Sequence, residues 1–206
     1  MNLVLAYGSL IELNSRRNTA PCAQTAWPVE LPGWGRSWSA QPETIGFATT
    51  VLGASRKKDS TLNGVVFYAT DTELGSLKIR ERDYAMERVP VADLVWLSEK
   101  PKTLPQAFHI FIWSPDKEKG PTPERPIIQS YIDTCLTGCL ALDRDLENAD
   151  WWFSRNFIRN TGGWSRHWVN DRIYPRRPHI HVKDAHLIDR LLSEERPDEF
   201  SAITIE

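Results

Sequence analysis

Asn2-Leu3-Val4-Leu5-Ala6-Tyr7-Gly8-Ser9-Leu10 opens the chain and decides how the rest of the sequence is interpreted. Residues 2–6 form a short apolar run, and Gly8 and Ser9 favour a turn directly after it. The pattern predicts a buried first strand that ends in a tight loop. Because no basic region precedes the apolar run, we interpret it as a strand and not as a signal peptide.

The loop after this strand is a candidate anion site. Backbone N–H groups that a tight turn leaves unpaired can converge on one point and hold an anion or a developing oxyanion. The hydroxyl groups of Tyr7 and Ser9 can add hydrogen bonds. An ordinary strand-ending turn is the commoner explanation for so short a motif, and both interpretations stay open at this point.

Composition narrows the class of protein. The 206 residues are 41% apolar and 25% charged, with a net charge of −2, which is typical of a water-soluble globular domain. The near-neutral charge gives no reason to expect nucleic acid or an anionic membrane as a partner, and no apolar run is long enough to span a bilayer. Three cysteines without a dense framework favour the reducing cytoplasm.

Strand patterns come first in the chain and helical patterns later. Strands are predicted at 45–51, 62–69, 86–97 and 107–113, with loops at 31–35 and 55–60. A helix is predicted from Thr70, which forms a capping box with Glu73, to about Arg82. Further helices are predicted at about 127–140, 144–159 and 184–195, after an exposed proline-rich connection at 115–126. We therefore predict a single α+β domain whose antiparallel strands form a sheet or a barrel (about 1–114), followed by a helical C-terminal elaboration (about 126–206).

Glu81 stands out on the helix that begins after Thr70. On a helical wheel of about 100° per residue, Leu77 and Glu81 fall within about 60° of Leu74, so Glu81 lies on the apolar stripe. An inward carboxylate is costly unless it is paired or used, and partial burial raises its pKa toward the range that proton transfer requires. The alternative is that Glu81 ends the helix and pairs with an arginine such as Arg80 or Arg88.

The loop and the glutamate together carry a family resemblance. Tyr7-Gly8-Ser9-Leu10 at the end of a first strand resembles the opening of the gamma-glutamylcyclotransferase-like family. The same order and spacing continue through Gly46-Phe47-Ala48-Thr49, Leu62 to Phe67, Leu74 to Leu77, Arg80 to Tyr84 and Val89-Pro90-Val91. The resemblance covers about residues 1–113, and more loosely Pro126 to Leu140 and Trp168 to Arg172.

The resemblance implies an α+β fold with a small mixed or antiparallel β-barrel surrounded by helices and with a helical C-terminal extension. It also implies a cavity where the Tyr-Gly-Ser-Leu loop meets an acidic residue. Glu81 corresponds to the family's catalytic glutamate, and Tyr84 corresponds approximately to a tyrosine that follows it. Tyr7, Gly8, Ser9 and Leu10 would hold the substrate, a small gamma-glutamyl compound. The α-amine of that substrate would attack its own γ-carbonyl and release 5-oxoproline and a free amine, with Glu81 as general acid and base and with neither a metal nor an organic cofactor.

Two other functions remain open at the level of sequence. The same fold can form a catalytically silent module that binds a small ligand or a partner protein, or an enzyme that performs another acyl transfer or hydrolysis at the same γ-amide bond. The inward glutamate favours an enzyme, since a pure binding module does not need a carboxyl group beside the carbonyl carbon. The sequence does not specify the leaving amine or the oligomeric state.

Three further clusters are explained more simply by structure. Cys135 and Cys139 lie four residues apart on an apolar helical stripe, which favours core thiols over half a metal site. His179-Ile180-His181 lacks neighbours that complete a ligand set. The segment from Trp168 to Arg177 is aromatic and basic. It is interpreted as a clasp made by Asp171 and Arg172, although Arg172 or Arg176 can alternatively pair with a substrate carboxylate.

Overall fold

The computed structural model describes residues 1–43, 46–177 and 182–206. The strands are β1 (Asn2–Ala6), β2 (Ala26–Ala40), β3 (Val51–Ala69), β4 (Ala85–Pro90), β5 (Val95–Trp96), β6 (Ala107–Ile112), β7 (Ile127–Ile128), β8 (Thr161–Gly162), β9 (Trp168–Asn170) and β10 (Thr204–Ile205). The helices are α1 (Leu13–Arg17), α2 (Asp71–Arg80), α3 (Gln129–Asp145), α4 (Trp152–Arg159), α5 (Ala185–Glu195) and α6 (Pro197–Ser201). Short 3-10 helices cover Ser9–Ile11, Val91–Asp93, Pro115–Lys117 and Ala149–Trp151.

The first strand lies inside the main sheet. β1 pairs antiparallel with β3 and parallel with β6, and Leu3 and Val4 are completely buried. A strand that is apolar at consecutive positions suits a sheet covered on both faces. The predicted strand and its position in an α+β domain are confirmed.

The prediction that the sheet closes into a barrel is wrong. Among the described residues the strand order is β4-β6-β1-β3-β2-β5, with β8 added to β2, and no ladder joins the outer strands β4 and β5. A closed barrel needs each strand to be paired on both sides. β5 pairs with β2 through only two residue pairs, Val29 with Trp96 and Glu30 with Val95, so it is too short to close the sheet. The sheet is mixed and open.

β2 and β3 form a much longer pair of strands than the sequence patterns predict. The loops predicted at 31–35 and 55–60 lie inside these strands. The pairing of β2 with β3 is interrupted by a bulge, where residues 57–60 lie opposite Gly33, whose φ is 78°. The strand predicted at 45–51 is also wrong, since residues 46–50 contain no strand. The N–H of Thr50 donates instead to the carbonyl of Pro126, at 3.0 Å.

The helices pack around this sheet. The capping box between Thr70 and Glu73 is confirmed. Glu73 is buried, and its carboxylate also accepts a hydrogen bond from the N–H of Cys22. α3 contacts the loop after β1 so closely that a Cβ atom on Gly138 would lie 2.6 Å from the backbone nitrogen of Glu12. None of the described helices is both long and apolar enough to cross a membrane. β7, β9 and β10 form a second small sheet among the C-terminal helices.

A buried arginine joins the two halves of the chain. Arg36 on β2 is only 2% exposed. Its five N–H groups make five hydrogen bonds, to Thr161 Oγ1, to the carbonyls of Tyr7 and Phe157, and to both the carbonyl and Oδ1 of Asn63. Its guanidinium also lies 3.7 Å from the centre of the Phe157 ring. Arg36 therefore fixes the site loop, the long strands and the C-terminal helices to one another.

Replacing this arginine should destabilise the whole fold. Arg36→Lys keeps the charge but supplies three donors in place of five, and it leaves buried acceptors without partners. We expect the free energy of unfolding, measured in urea, to fall by about 2–5 kcal/mol.

Arg56→Lys is the matched control. Arg56 is also on the main sheet and pairs with Glu87, but its side chain is 62% exposed. Its replacement should change the free energy of unfolding by less than about 0.5 kcal/mol. Equal losses in both variants would contradict the role assigned to Arg36.

Candidate active site

A cavity of about 300 Å³ opens beside the end of β1. Its wall includes the loop after β1, the end of α2 and two residues of the C-terminal half, Tyr131 and Arg177, together with residues of the main sheet. All six residues predicted for the site line it, namely Tyr7, Gly8, Ser9, Leu10, Glu81 and Tyr84. The fold thus brings together residues that are more than 70 positions apart in sequence.

The loop forms one side of the cavity. Its 3-10 helix begins with the hydrogen bond from the N–H of Ile11 to the carbonyl of Gly8, at 2.9 Å. The N–H groups of Ser9 and Leu10 precede this bond and therefore have no partner inside the helix. The Tyr7 hydroxyl donates to the carbonyl of Phe111 at 2.7 Å, which anchors the loop to β6.

Glu81 lies immediately after α2. Its N–H donates to the carbonyl of Leu77 at 2.8 Å, and its side chain is 20% exposed. Burial raises the pKa of the Glu81 carboxyl, and this effect outweighs the opposing effects of Arg80 and Arg177. Arg80 Nε lies 3.2 Å from Glu81 Oε1. Both predicted features are present, since Glu81 follows the helix end beside an arginine and also lines the cavity.

Tyr84 also lines the cavity, and its N–H donates to the carbonyl of Glu81 at 2.9 Å. Its hydroxyl donates to the carbonyl of Leu52 at 3.0 Å, and its ring packs edge-on against Trp113, with 5.0 Å between the ring centres. Burial raises the pKa of Tyr84 well above its ordinary value, so the phenol stays protonated at neutral pH. Tyr84 can therefore serve as a fixed neutral group and not as a base.

Sequence reasoning did not assign Arg80, Tyr131 or Arg177 to the site. Arg80 Nη2 donates to Ser9 Oγ at 3.2 Å, and Arg177 Nη2 donates to the same oxygen at 3.0 Å. The Arg177 guanidinium lies 5.0 Å from the centre of the Tyr131 ring. Arg80 was considered only as a partner of Glu81, and nothing in the sequence distinguishes Arg177 from its basic neighbours.

The segment around Arg177 is held by a clasp. Asp171 is buried, and its carboxylate accepts hydrogen bonds from the N–H and the hydroxyl of Ser130 and from the N–H of Arg176, at 2.7–2.8 Å. Arg172 donates to the carboxylates of Asp133 and Asp189, at 2.7–2.8 Å. These contacts match the clasp interpretation of Asp171 and Arg172.

Two groups of residues were also considered as metal ligands in the sequence: the cysteines of α3 and the histidines near residue 180. Cys135 and Cys139 are completely buried in the hydrophobic core, as predicted for core thiols. His179 and His181 lie outside the residues that the structure describes. Within residues 1–43, 46–177 and 182–206, no three His, Cys, Asp or Glu side chains are grouped as metal ligands.

Comparison with known proteins identifies the fold. A structure of a gamma-glutamyl cyclotransferase superposes on 75% of this chain and 85% of its own, with 13% identity and a TM-score of 0.55. The chain has the gamma-glutamyl cyclotransferase-like fold. YkqA from Bacillus subtilis shares this fold with 16% identity over 71% of this chain and 54% of its own, at a TM-score of 0.51. An uncharacterized protein from Homo sapiens shares it with 14% identity over 72% and 88% of the two chains, at a TM-score of 0.50.

These likenesses are structural. No family model matches the sequence, and a search of the curated proteins finds no match. At 13–16% identity the comparison establishes the fold alone.

The position of Glu81 should carry a measurable cost in stability. Because its pKa is raised in the folded protein, the folded state holds this proton at pH values where the unfolded chain has released it. The stability of the native protein therefore falls as the pH rises through this window. Glu81→Gln lacks this dependence, so its free energy of unfolding should rise relative to that of the native protein as the pH increases above the ordinary pKa of a glutamate.

Urea denaturation at a series of pH values tests this expectation. Glu87→Gln is the control, because Glu87 lies on β4, pairs with Arg56 and does not line the cavity. A difference between native protein and Glu81→Gln that stays constant with pH would contradict the assigned environment of Glu81.

Proposed function

We propose that this protein is a gamma-glutamylcyclotransferase-type enzyme of the cytoplasm that needs no cofactor. Its substrate is a small gamma-glutamyl compound, whose α-amine attacks its own γ-carbonyl. A C–N bond forms and closes the five-membered lactam, the original γ-amide C–N bond breaks, and the products are 5-oxoproline and a free amine. Folding the substrate back on itself inside the cavity gives this intramolecular attack a large effective concentration.

Glu81 moves the proton in the proposed reaction. The α-amine is protonated in water at neutral pH and cannot attack until it loses a proton. The Glu81 carboxylate accepts this proton and later returns it to the nitrogen of the leaving amine. The attacking nitrogen loses a second proton as the lactam forms, and this proton also passes to the leaving amine, which departs as an ammonium ion, so that no net proton is gained or lost. Its raised pKa suits both steps, because burial makes the Glu81 carboxylate a stronger base than an ordinary glutamate while it can still return the proton.

The loop after β1 stabilises negative charge in this proposal. The proposed donors are the N–H groups of Ser9 and Leu10, two residues that line the cavity, and the Ser9 hydroxyl. Such donors stabilise a substrate carboxylate or the oxyanion that forms as the amine attacks.

One arrangement carries the proposal: a partly buried carboxylate and a loop of donors line the same small cavity, joined through Arg80. Ser9 is less suited to attack the γ-carbonyl itself, as the acyl-transfer alternative requires. Its oxygen accepts hydrogen bonds from two guanidinium groups, which draw electron density away from it. Cyclisation by the substrate's own amine is therefore favoured over a seryl intermediate.

The function is tested with a panel of gamma-glutamyl compounds: glutathione, gamma-glutamyl amino acids and gamma-glutamyl amines. We expect at least one to release 5-oxoproline. Glu81→Gln keeps the shape of the side chain but removes the base, and should lower kcat by about 100-fold or more. Glu87→Gln, which changes a carboxylate paired with Arg56 on the main sheet, should keep native activity.

Two results would contradict this account. Full activity in Glu81→Gln would remove its proposed role. Inactivity of the native protein across the whole panel, together with binding of 5-oxoproline, would favour the silent binding module.

The pH dependence of kcat/KM gives an independent readout of Glu81. The base must be ionised to accept the proton, and its pKa is raised by burial. Activity should therefore decline as the pH falls through a value above that of an ordinary glutamate. The low residual activity of Glu81→Gln should lack this acid limb, and an unchanged acid limb in that variant would assign the titration to another group.

A further inference from the structure

We propose that Arg177 binds the α-carboxylate of the substrate and makes Ser9 an obligate hydrogen-bond donor toward it. The inference rests on the proposed function for the identity of the substrate. Arg177 belongs to the C-terminal half of the chain, so this part of the fold would complete the binding site.

The geometry at Ser9 gives the first argument. A hydroxyl has two acceptor lone pairs and one proton, whereas a guanidinium only donates. Arg80 and Arg177 both donate to Ser9 Oγ, at 3.2 and 3.0 Å, and so occupy both lone pairs. The Ser9 proton is therefore available only for donation. Two cations polarise this hydroxyl, which favours an anion as its acceptor.

The balance of charge gives the second argument. Arg80 already lies beside the Glu81 carboxylate. Among the described residues, Arg177 forms no salt bridge. Its guanidinium donates to Ser9 Oγ and lies over the ring of Tyr131, and it interacts with Glu81 only through a longer-range charge attraction. Its neighbour Arg176, in contrast, pairs with Glu206. A half-buried guanidinium that lines a cavity without a carboxylate in salt-bridge contact is suited to bind one from a ligand.

The order of the contacts identifies which carboxylate is bound. Glu81, Arg80, Ser9 and Arg177 form one continuous series of contacts. The head group of a gamma-glutamyl compound carries its ammonium and its carboxylate on the same carbon atom. With the ammonium at Glu81, the α-carboxylate falls beside Ser9 and Arg177. A carboxylate in the leaving group would lie several bonds away, beyond the γ-amide.

The clasp explains how Arg177 is held in place. Asp171 fixes the segment through Ser130 and through the N–H of Arg176, and the N–H of Arg177 lies 3.4 Å from Ser130 Oγ. A cation that is already oriented loses less entropy when it binds an anion. This supports a role in recognition in addition to one in packing.

Calorimetric binding of two lactams tests the proposal. 5-Oxoproline carries the carboxylate, and 2-pyrrolidinone is the same ring without it. We expect Arg177→Gln to weaken the binding of 5-oxoproline about tenfold or more and to leave the binding of 2-pyrrolidinone unchanged. Arg176→Gln is the matched control, because it removes a neighbouring arginine that does not line the cavity, and both affinities should stay native.

Three results would overturn the proposal: undiminished binding of 5-oxoproline by Arg177→Gln, an equal loss of both lactams in that variant, or no binding of 5-oxoproline by the native protein. The assay does not require turnover. Selective binding through Arg177 in a protein that releases no 5-oxoproline from any gamma-glutamyl compound would disprove the proposed function and leave this inference standing. If Arg177→Gln released 5-oxoproline at the native rate and bound both lactams with native affinity, the proposed function would stand and this inference would be disproved.

Discussion

The hydrogen bonds of Arg36 are the constraint on which the rest of the structure depends. A guanidinium in the core requires acceptors for all of its N–H groups, and burial lowers the pKa of Arg36 to about 10. The acceptors come from the loop after β1, from β3 and from the region of α4 and β8. Satisfying this one residue therefore fixes the position of the Tyr7 carbonyl, and with it the loop that lines the cavity.

In the candidate site, too, arginine hydrogen bonds hold distant parts of the chain together. Ser9 receives hydrogen bonds from the end of α2 through Arg80 and from the C-terminal segment through Arg177. Glu81 is held beside these cations in a place where burial disfavours its charge. A carboxylate in such a place lowers the stability of the fold at neutral pH, and this is the kind of local cost that catalytic sites tend to carry.

The parts of the fold that sequence predicted are those set by neighbouring residues. β1 follows from an uninterrupted apolar run, the start of α2 from the Thr70–Glu73 capping box, and the inward position of Glu81 from its spacing to Leu74 and Leu77. The division into a core of about 1–114 and an elaboration of about 126–206 remains a prediction.

The parts that sequence missed depend on distant partners. Pro32 and Gly33 indicated a loop, but pairing with β3 along the whole length of β2 overrides these local preferences. The prediction of a closed barrel was wrong because the edge strands β4 and β5 do not pair with each other. Arg177 could not be distinguished from Arg172 and Arg176, since their different roles arise only when the clasp places one of them against Ser9.

The most direct test of the central claim is a crystal structure of the Glu81→Gln variant with a gamma-glutamyl compound bound. The account predicts the substrate amine within hydrogen-bond distance of the side chain at position 81, and the α-carboxylate at the Ser9 hydroxyl. A substrate bound outside this cavity, or one whose amine lies away from position 81, would contradict it.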